Sequence, residues 1–195
     1  MPNDVYGNLL ASQGLPQYTE ATRIGGGYHV MTATPFAPAA AVPTTTCKLE
    51  IFNNGSGSGA NSLVIDTLYA FQLLGTAATQ TYAIWAQVYT KAAPTNTALT
   101  IASDSGRPDI TSGSSIITAV DTTVVAHGWR PWGNVQAWGT AAATPGNSWH
   151  AEVNGRLVVP PGAALCLSVV GSLATASTFH VGASWYNVSS LSVQA

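Results

Sequence analysis

The stretch CKLEIFNNGSGSGANSLVIDTLYAFQLL, residues 47–74, decides the fold. Apolar and polar side chains alternate through residues 47–53, which predicts a β-strand with one buried face. The apolar side chains predicted to share that face are Cys47, Leu49 and Ile51. Lys48 and Glu50 are predicted on the opposite, polar face, because successive side chains of a strand point to opposite sides of the sheet.

The segment after this strand predicts a turn and a second strand. Residues 53–61 are a run of Asn, Gly, Ser and Ala, the composition of a loop. The strand that follows, Ser62–Leu74, is long and apolar on both sides. One side is predicted to carry Leu63, Ile65, Tyr69 and Phe71, and the other Val64, Leu68 and Ala70.

Further strand patterns follow toward the C-terminus. The clearest are residues 81–90, 148–153, 157–159, 163–170 and 178–186. Residues 81–90 are apolar on both faces, which is typical of a strand buried on two sides. Asn154-Gly155 predicts a hairpin turn between its two flanking strands. Roughly ten short strands, with a turn about every 8–12 residues, indicate an all-β sandwich or barrel.

Residues 1–46 are predicted to form an N-terminal arm, and residues 47–195 the β-sandwich domain. The arm contains several prolines and the triplet Gly25-Gly-Gly27, with room for short strands at 17–24 and 28–34. The proline-rich run 35–43 is expected to lie extended over a surface, since proline removes a ladder donor. The sequence shows no secretory signal and no apolar run long enough for a membrane helix.

Charged residues make up 7% of the 195 residues, against about 25% in an ordinary soluble domain. The chain has six Lys and Arg residues and eight Asp and Glu residues, which gives a formal net charge of −2. This balance argues against nucleic acid or an anionic membrane as a partner, because both require a dense basic face. A nearly uncharged surface costs little to desolvate and favours extensive protein–protein contact.

No motif dictates a reaction. The nearest candidate, His150-Ala-Glu152 followed by Cys166, has part of the zinc deaminase pattern but lacks its paired thiolates. Cys47 and Cys166 each lie in an apolar strand pattern, which predicts buried free thiols and leaves a disulfide open. The sequence therefore predicts a protein that is not an enzyme and has no cofactor and no metal site.

Aromatic side chains gather in the Gly- and Pro-rich stretch 126–138. Loop tryptophans are costly to expose, so they pack in their own domain, contact another subunit or stack on a sugar. All three alternatives remain open at this stage, and a neighbouring arginine can stack on an indole in each. The candidate interface or ligand residues are Trp129, Arg130, Trp132, Trp138 and Trp149.

Three segments together resemble tailed-bacteriophage virion structural proteins with a jelly-roll domain, of the head-decoration, cement or fibre type. The first is the strand–loop–strand segment 49–66; the second is Leu157-Val-Val-Pro-Pro-Gly-Ala-Ala-Leu-Cys-Leu167; the third is Phe179-His-Val-Gly-Ala-Ser-Trp185. The resemblance implies a jelly-roll-like antiparallel β-sandwich, often trimeric and attached to a capsid or tail. It supplies no catalytic residues.

The functional prediction follows from the resemblance and the low charge. We expect a non-enzymatic virion protein, a capsid decoration or cement protein, that is assembled in the host cytoplasm. Its expected partners are further copies of itself, as a trimer rather than a dimer, and the major capsid protein or another virion protein. The alternative is a carbohydrate-binding β-sandwich, a receptor-binding tip or lectin-like module, whose loop tryptophans stack on a glycan.

Overall fold

The structure is a computed structural model that describes residues 22, 25–56, 60–75, 80–95, 99–106, 116–138, 148–172 and 177–189, with the backbone alone at 134–138 and 189. Its strands are β1 (Gly27–Met31), β2 (Thr46–Cys47), β3 (Leu49–Asn53), β4 (Asn61–Leu74), β5 (Gln80–Thr90), β6 (Ala102–Ser103), β7 (Ile116–Ala119), β8 (Thr122–Thr123), β9 (Arg130–Trp138), β10 (Ser148–Val159), β11 (Ala163–Gly171) and β12 (Thr178–Ser189). Within the residue ranges just given, there is no helix that is long and apolar enough to cross a membrane.

The strands form two packed sheets. One has the order β10-β4-β12-β1-β6 and the other β7-β3-β11-β5-β9, with β2 and β8 as a small separate pair. The eight longest strands pair in a nested, antiparallel way: β1 with β12, β3 with β11, β4 with β10, and β5 with β9. A nested set of hairpin pairs divided between two sheets is the jelly roll. The predicted all-β, jelly-roll-like sandwich is confirmed.

The main core lies between the two sheets and is rich in aromatic rings. Trp185 of β12 is fully buried and stacks on Tyr28 of β1 with 6.2 Å between ring centroids. Phe179, also on β12, packs against Tyr82 and Trp149, with 4.7 Å and 5.7 Å between the ring centroids. Each fully buried aliphatic or Phe side chain contributes about 1.5–3 kcal/mol, so this layer dominates the stability of the sandwich.

A second, smaller core covers the outer face of the sheet that contains β3, β11 and β5. Its buried members are Cys47, Phe52, Val124, Ala164 and Cys166, with Tyr89, Ile117 and Trp129 packed against them. The chain after β8 provides the cover. Of residues 81–90, the outer face is covered at Gln87 and Tyr89, whereas Thr81 and Trp85 border an open groove, so the predicted burial on two sides holds only for the C-terminal half of the strand.

Part of the predicted arm lies on the sandwich. β1 pairs with β12, and its Tyr28 and Val30 are buried in the main core. Beyond β1, Phe36 makes an antiparallel bridge with Phe179, and Ala39 a parallel bridge with Val170. Residues 1–21, 23 and 24 lie outside the described residues, so the reach of the arm and the strand at 17–24 stay predictions.

The predicted faces of β4 are wrong beyond Ile65. Thr67 pairs with Ser184 and Ile65 with Trp185, so Asp66 is an extra residue without a partner on β12. Because side chains alternate with a period of two, one extra residue exchanges the faces of all residues that follow. The buried side chains are therefore Leu63, Ile65, Leu68, Ala70 and Gln72, whereas Tyr69 and Phe71 lie on the outer face.

The faces predicted for the first strand also change at one position. Leu49 and Ile51 belong to the main core, but Cys47 belongs to the outer cluster. Lys48 forms a bend between β2 and β3, and this irregularity moves Cys47 to the side of Glu50. Glu50 is not in solvent, because β8 covers it and leaves it fully buried.

The hairpin predicted at Asn154-Gly155 is wrong. Both residues have positive φ, 50° and 75°, as the turn requires. The chain then resumes pairing with the same neighbour, since Glu152 pairs with Thr67 and Leu157 with Ile65 of β4. The turn is a large bulge within β10, opposite Asp66, and the strand keeps its direction.

Candidate functional site

An arginine–tryptophan cluster, Arg130, Trp132 and Arg156, lies where the edge strands β9 and β10 of the two sheets meet. The guanidinium carbon of Arg130 is 4.4 Å from the centroid of the Trp132 ring, and that of Arg156 is 5.2 Å from it. The bulge in β10 holds Arg156, whose Nε donates to Val153 O at 2.9 Å. Cation–π contacts of this kind contribute about 0.5–2 kcal/mol each.

The cluster opens onto a groove of about 350 Å³ lined by Arg130, Pro131, Trp132, Gly133 and Arg156. Neither guanidinium has an acidic partner among the described residues. Arg156 already donates from Nε to Val153 O and from Nη2 to Glu152 O, so its remaining N–H groups and the guanidinium of Arg130 are the donors that can bind a carboxylate. The groove therefore favours an anionic ligand or an acidic side chain of a partner.

The structure brings together two of the predicted site residues, Arg130 and Trp132. Trp132 is 6% exposed, so the arginines and its own domain cover its ring. Trp149 is a core residue, in edge-to-face contact with Phe179. Trp129 is half-buried in the outer cluster, and its Nε1 donates to Val125 O at 3.2 Å.

Trp138 extends β9 opposite Gln80, and its side chain lies outside the described residues. Arg156 was not predicted. A local signal for it exists, since the Asn154-Gly155 turn directly precedes it. That turn was interpreted as a hairpin, which would have placed Arg156 on a separate strand.

A second group of functional side chains lies under the cover of the outer sheet face. It consists of Cys47, Glu50, Lys91, Thr122 and Cys166, and we call it the thiol–carboxylate cluster. Lys91 Nζ donates to Glu50 Oε2 at 2.8 Å, and the Thr122 hydroxyl donates to the same oxygen. Thr122 Oγ1 also lies 3.2 Å from Cys47 Sγ. Glu50 Oε1 is buried and has no hydrogen-bond partner among the described residues.

The two thiols of this cluster are free, buried and in contact, as the strand patterns predict for buried free cysteines. The hydrogen bond from Cys166 lowers the pKa of Cys47, since it stabilises the thiolate of Cys47. The same hydrogen bond raises the pKa of Cys166, which holds the shared proton, and burial adds to this shift.

A scan against protein-family models finds no match for this chain, and searches of curated proteins and of solved structures find none either.

Proposed function

We propose that this chain is a non-enzymatic structural protein of a tailed-bacteriophage virion, a capsid decoration or cement protein that stabilises the head by protein–protein contacts. The observation that carries the proposal is a jelly-roll sandwich built from a chain with 7% charged residues. The resemblance of segments 49–66, 157–167 and 179–185 to such virion proteins supports it.

The physical basis is the low cost of covering this surface. Burying an unpaired charge is expensive, whereas Thr, Ser and Asn side chains are covered at small cost once their hydrogen bonds are satisfied. Three large apolar side chains are also exposed on β1 and β4, at Met31, Leu73 and Leu74. These positions gain most from contact with another subunit, and we propose a homo-oligomer, a trimer rather than a dimer, on a virion protein lattice.

Association of this kind is expected to be insensitive to salt. Between about 0.1 M and about 1 M salt the Debye length falls from about 10 Å to about 3 Å, so an interface held by charge pairs weakens strongly. For this chain we expect the association constant to change by less than about threefold over that range. Sedimentation equilibrium at both salt concentrations measures it. A monodisperse monomer, or steep dissociation by salt, would contradict the proposal.

The virion assignment is tested on particles. Antibodies raised against the recombinant chain are used for immunogold electron microscopy of phage particles from the source culture. We expect gold on the capsid shell. If the particles carry no label and their peptides do not include this chain, the chain is not a virion component. The measurement of self-association is not affected by that result.

The alternative, a carbohydrate-binding sandwich, is favoured by the groove at the arginine–tryptophan cluster. Trp132 itself is covered, so recognition would depend on Arg130 and Arg156 and would select sugars with a carboxylate. We expect Arg156→Lys to weaken binding of a uronic- or sialic-acid oligosaccharide about tenfold or more, because lysine cannot form the bidentate pair. Isothermal titration measures this, with Lys48→Arg as a control away from the groove. No binding by the unmodified chain would exclude the alternative.

A further inference from the structure

We propose that the thiol–carboxylate cluster is a zinc site in which Cys47, Cys166 and Glu50 are the protein ligands. The Sγ atoms of the two cysteines and a carboxylate oxygen of Glu50 all lie within 4.8 Å of one another, and all three residues are buried. Thiolates and a carboxylate are a donor set that suits Zn²⁺.

The spacing of the donor atoms fits a tetrahedral ion. Zinc–sulfur distances of about 2.3 Å and zinc–oxygen distances of about 2.0–2.2 Å place the ligand atoms about 3.5–3.8 Å apart. The ligand atoms of Cys47, Glu50 and Cys166 are at most 4.8 Å apart, so shifts of about 1 Å bring them to these distances. Three protein ligands leave the fourth position to a water molecule or to the Thr122 hydroxyl, which contacts both Cys47 and Glu50.

The unpartnered oxygen of Glu50 is the second observation that points to a ligand. Oε2 accepts hydrogen bonds from Lys91 and Thr122, whereas Oε1 is buried and without a donor among the residues that the structure describes. An oxygen in this position costs free energy unless something coordinates it. With zinc on Oε1, Lys91 and Thr122 stay in place and orient the carboxylate from its other oxygen.

The charge balance explains why Lys91 does not exclude the ion. Binding replaces the protons of the two thiols by one Zn²⁺, and both protons go to solvent. The buried cluster has no net charge before binding, with Glu50 and Lys91 paired. It has none afterwards, because two thiolates, one carboxylate, one ammonium group and Zn²⁺ sum to zero.

The ion has a route to the site. A groove of about 580 Å³ is lined by Tyr89, Lys91 and the cover residues 121–125, so Lys91 and Thr122 lie between the three proposed ligands and open solvent. Small movements of this cover admit a hydrated ion. Once bound, zinc ties β2, β3 and β11 together, and its proposed function is structural.

Cobalt(II) is the probe. The full chain is reduced, stripped with a chelator and titrated with CoCl₂ under anaerobic conditions. We expect thiolate-to-cobalt charge-transfer absorption in the near ultraviolet together with visible bands of a tetrahedral ion, both saturating at one ion per chain and both lost on addition of ZnCl₂. Zinc is also expected to raise the melting temperature of the stripped chain.

The variants separate this site from other metal binding. Cys166→Ser is expected to lower the charge-transfer absorption to about half or less, because one of the two thiolate ligands is lost, and Thr122→Val to weaken cobalt binding about 10–100-fold through loss of its contact with the ligands. His29→Ala, at an exposed imidazole paired with Asp104, is the control and leaves the titration unchanged. Circular dichroism confirms that each variant is folded.

Three results would overturn the proposal: no charge-transfer band in the reduced wild-type chain, a band of unchanged intensity in folded Cys166→Ser, or a Cys47–Cys166 disulfide that reductant does not open in the folded chain. The last result would show that the two thiols form a covalent crosslink. None of the three bears on self-association, which is measured separately.

Discussion

Lys91→Met is expected to destabilise the chain by about 3–5 kcal/mol, the cost of leaving a buried charge without its partner. The Lys91 side chain is 16% exposed and Glu50 is fully buried, so water does not replace the lost ammonium group. Thr122 still donates to Glu50, but one neutral donor does not offset the desolvation of a carboxylate. Urea denaturation of the reduced, chelator-treated chain measures the loss without any contribution from a metal.

The chain offers a matched control on its surface. Lys48 Nζ lies 2.6 Å from Asp121 Oδ1, at least as close as the buried pair, but the Asp121 side chain is 61% exposed. Lys48→Met is therefore expected to cost less than about 1 kcal/mol. The double variant Lys91→Met/Glu50→Gln should recover part of the loss, because it removes the orphaned charge. Equal effects of Lys91→Met and Lys48→Met would contradict the burial argument.

This buried pair also shows where sequence reasoning reaches its limit. An alternating pattern with a charged residue at every second position predicts a solvent-facing side, and Glu50 fits that pattern. Its cover is Thr122 and the residues that follow, about 70 positions later, and no local pattern indicates that contact. By contrast, the two apolar faces of residues 81–90 do indicate a cover on the outer side, and that cover is present at Tyr89 but not at Trp85, which borders a groove.

Strand positions were predictable, but faces were not wherever a bulge intervenes. The single extra residue Asp66 exchanges the faces of β4, and nothing in its local sequence differs from an ordinary strand position. The same difficulty applies to the candidate site. Arg130 and Trp132 belong to one predicted cluster, but they lie two positions apart on strand β9, where the sequence predicts a loop. Arg156 joins them because nested pairing brings the edges β9 and β10 together, which is a property of the whole topology.

Gly182→Ala is expected to destabilise the chain by about 3 kcal/mol, near the upper end of overpacking costs. A Cβ atom at this position of β12 would overlap Tyr69 Cε2 and lie 2.5 Å from the carbonyl oxygen of Val30. The Tyr69 ring crosses over the glycine from β4 and donates its hydroxyl hydrogen to that same carbonyl of β1 at 2.9 Å. Burial raises the pKa of Tyr69 to about 12, so the hydroxyl remains a donor throughout the neutral range.

The size of the effect follows from what can move. The ring can rotate away from a new methyl group only by giving up its bond to Val30, and the carbonyl itself belongs to the paired backbone of β1. For a domain of this size the melting temperature should fall by about 6–12 °C, which differential scanning calorimetry measures. Tyr69→Phe removes the hydrogen bond alone and is expected to cost about 1 kcal/mol.

Comparison of the variants identifies the cause. Gly182→Ala combined with Tyr69→Ala should be less destabilised than the sum of the two single changes, because the aromatic part of the clash is gone. The recovery remains incomplete, since the Val30 carbonyl oxygen still lies against the added Cβ atom. If Gly182→Ala costs no more than Tyr69→Phe, the close approach of β4, β12 and β1 at this point is not what requires glycine.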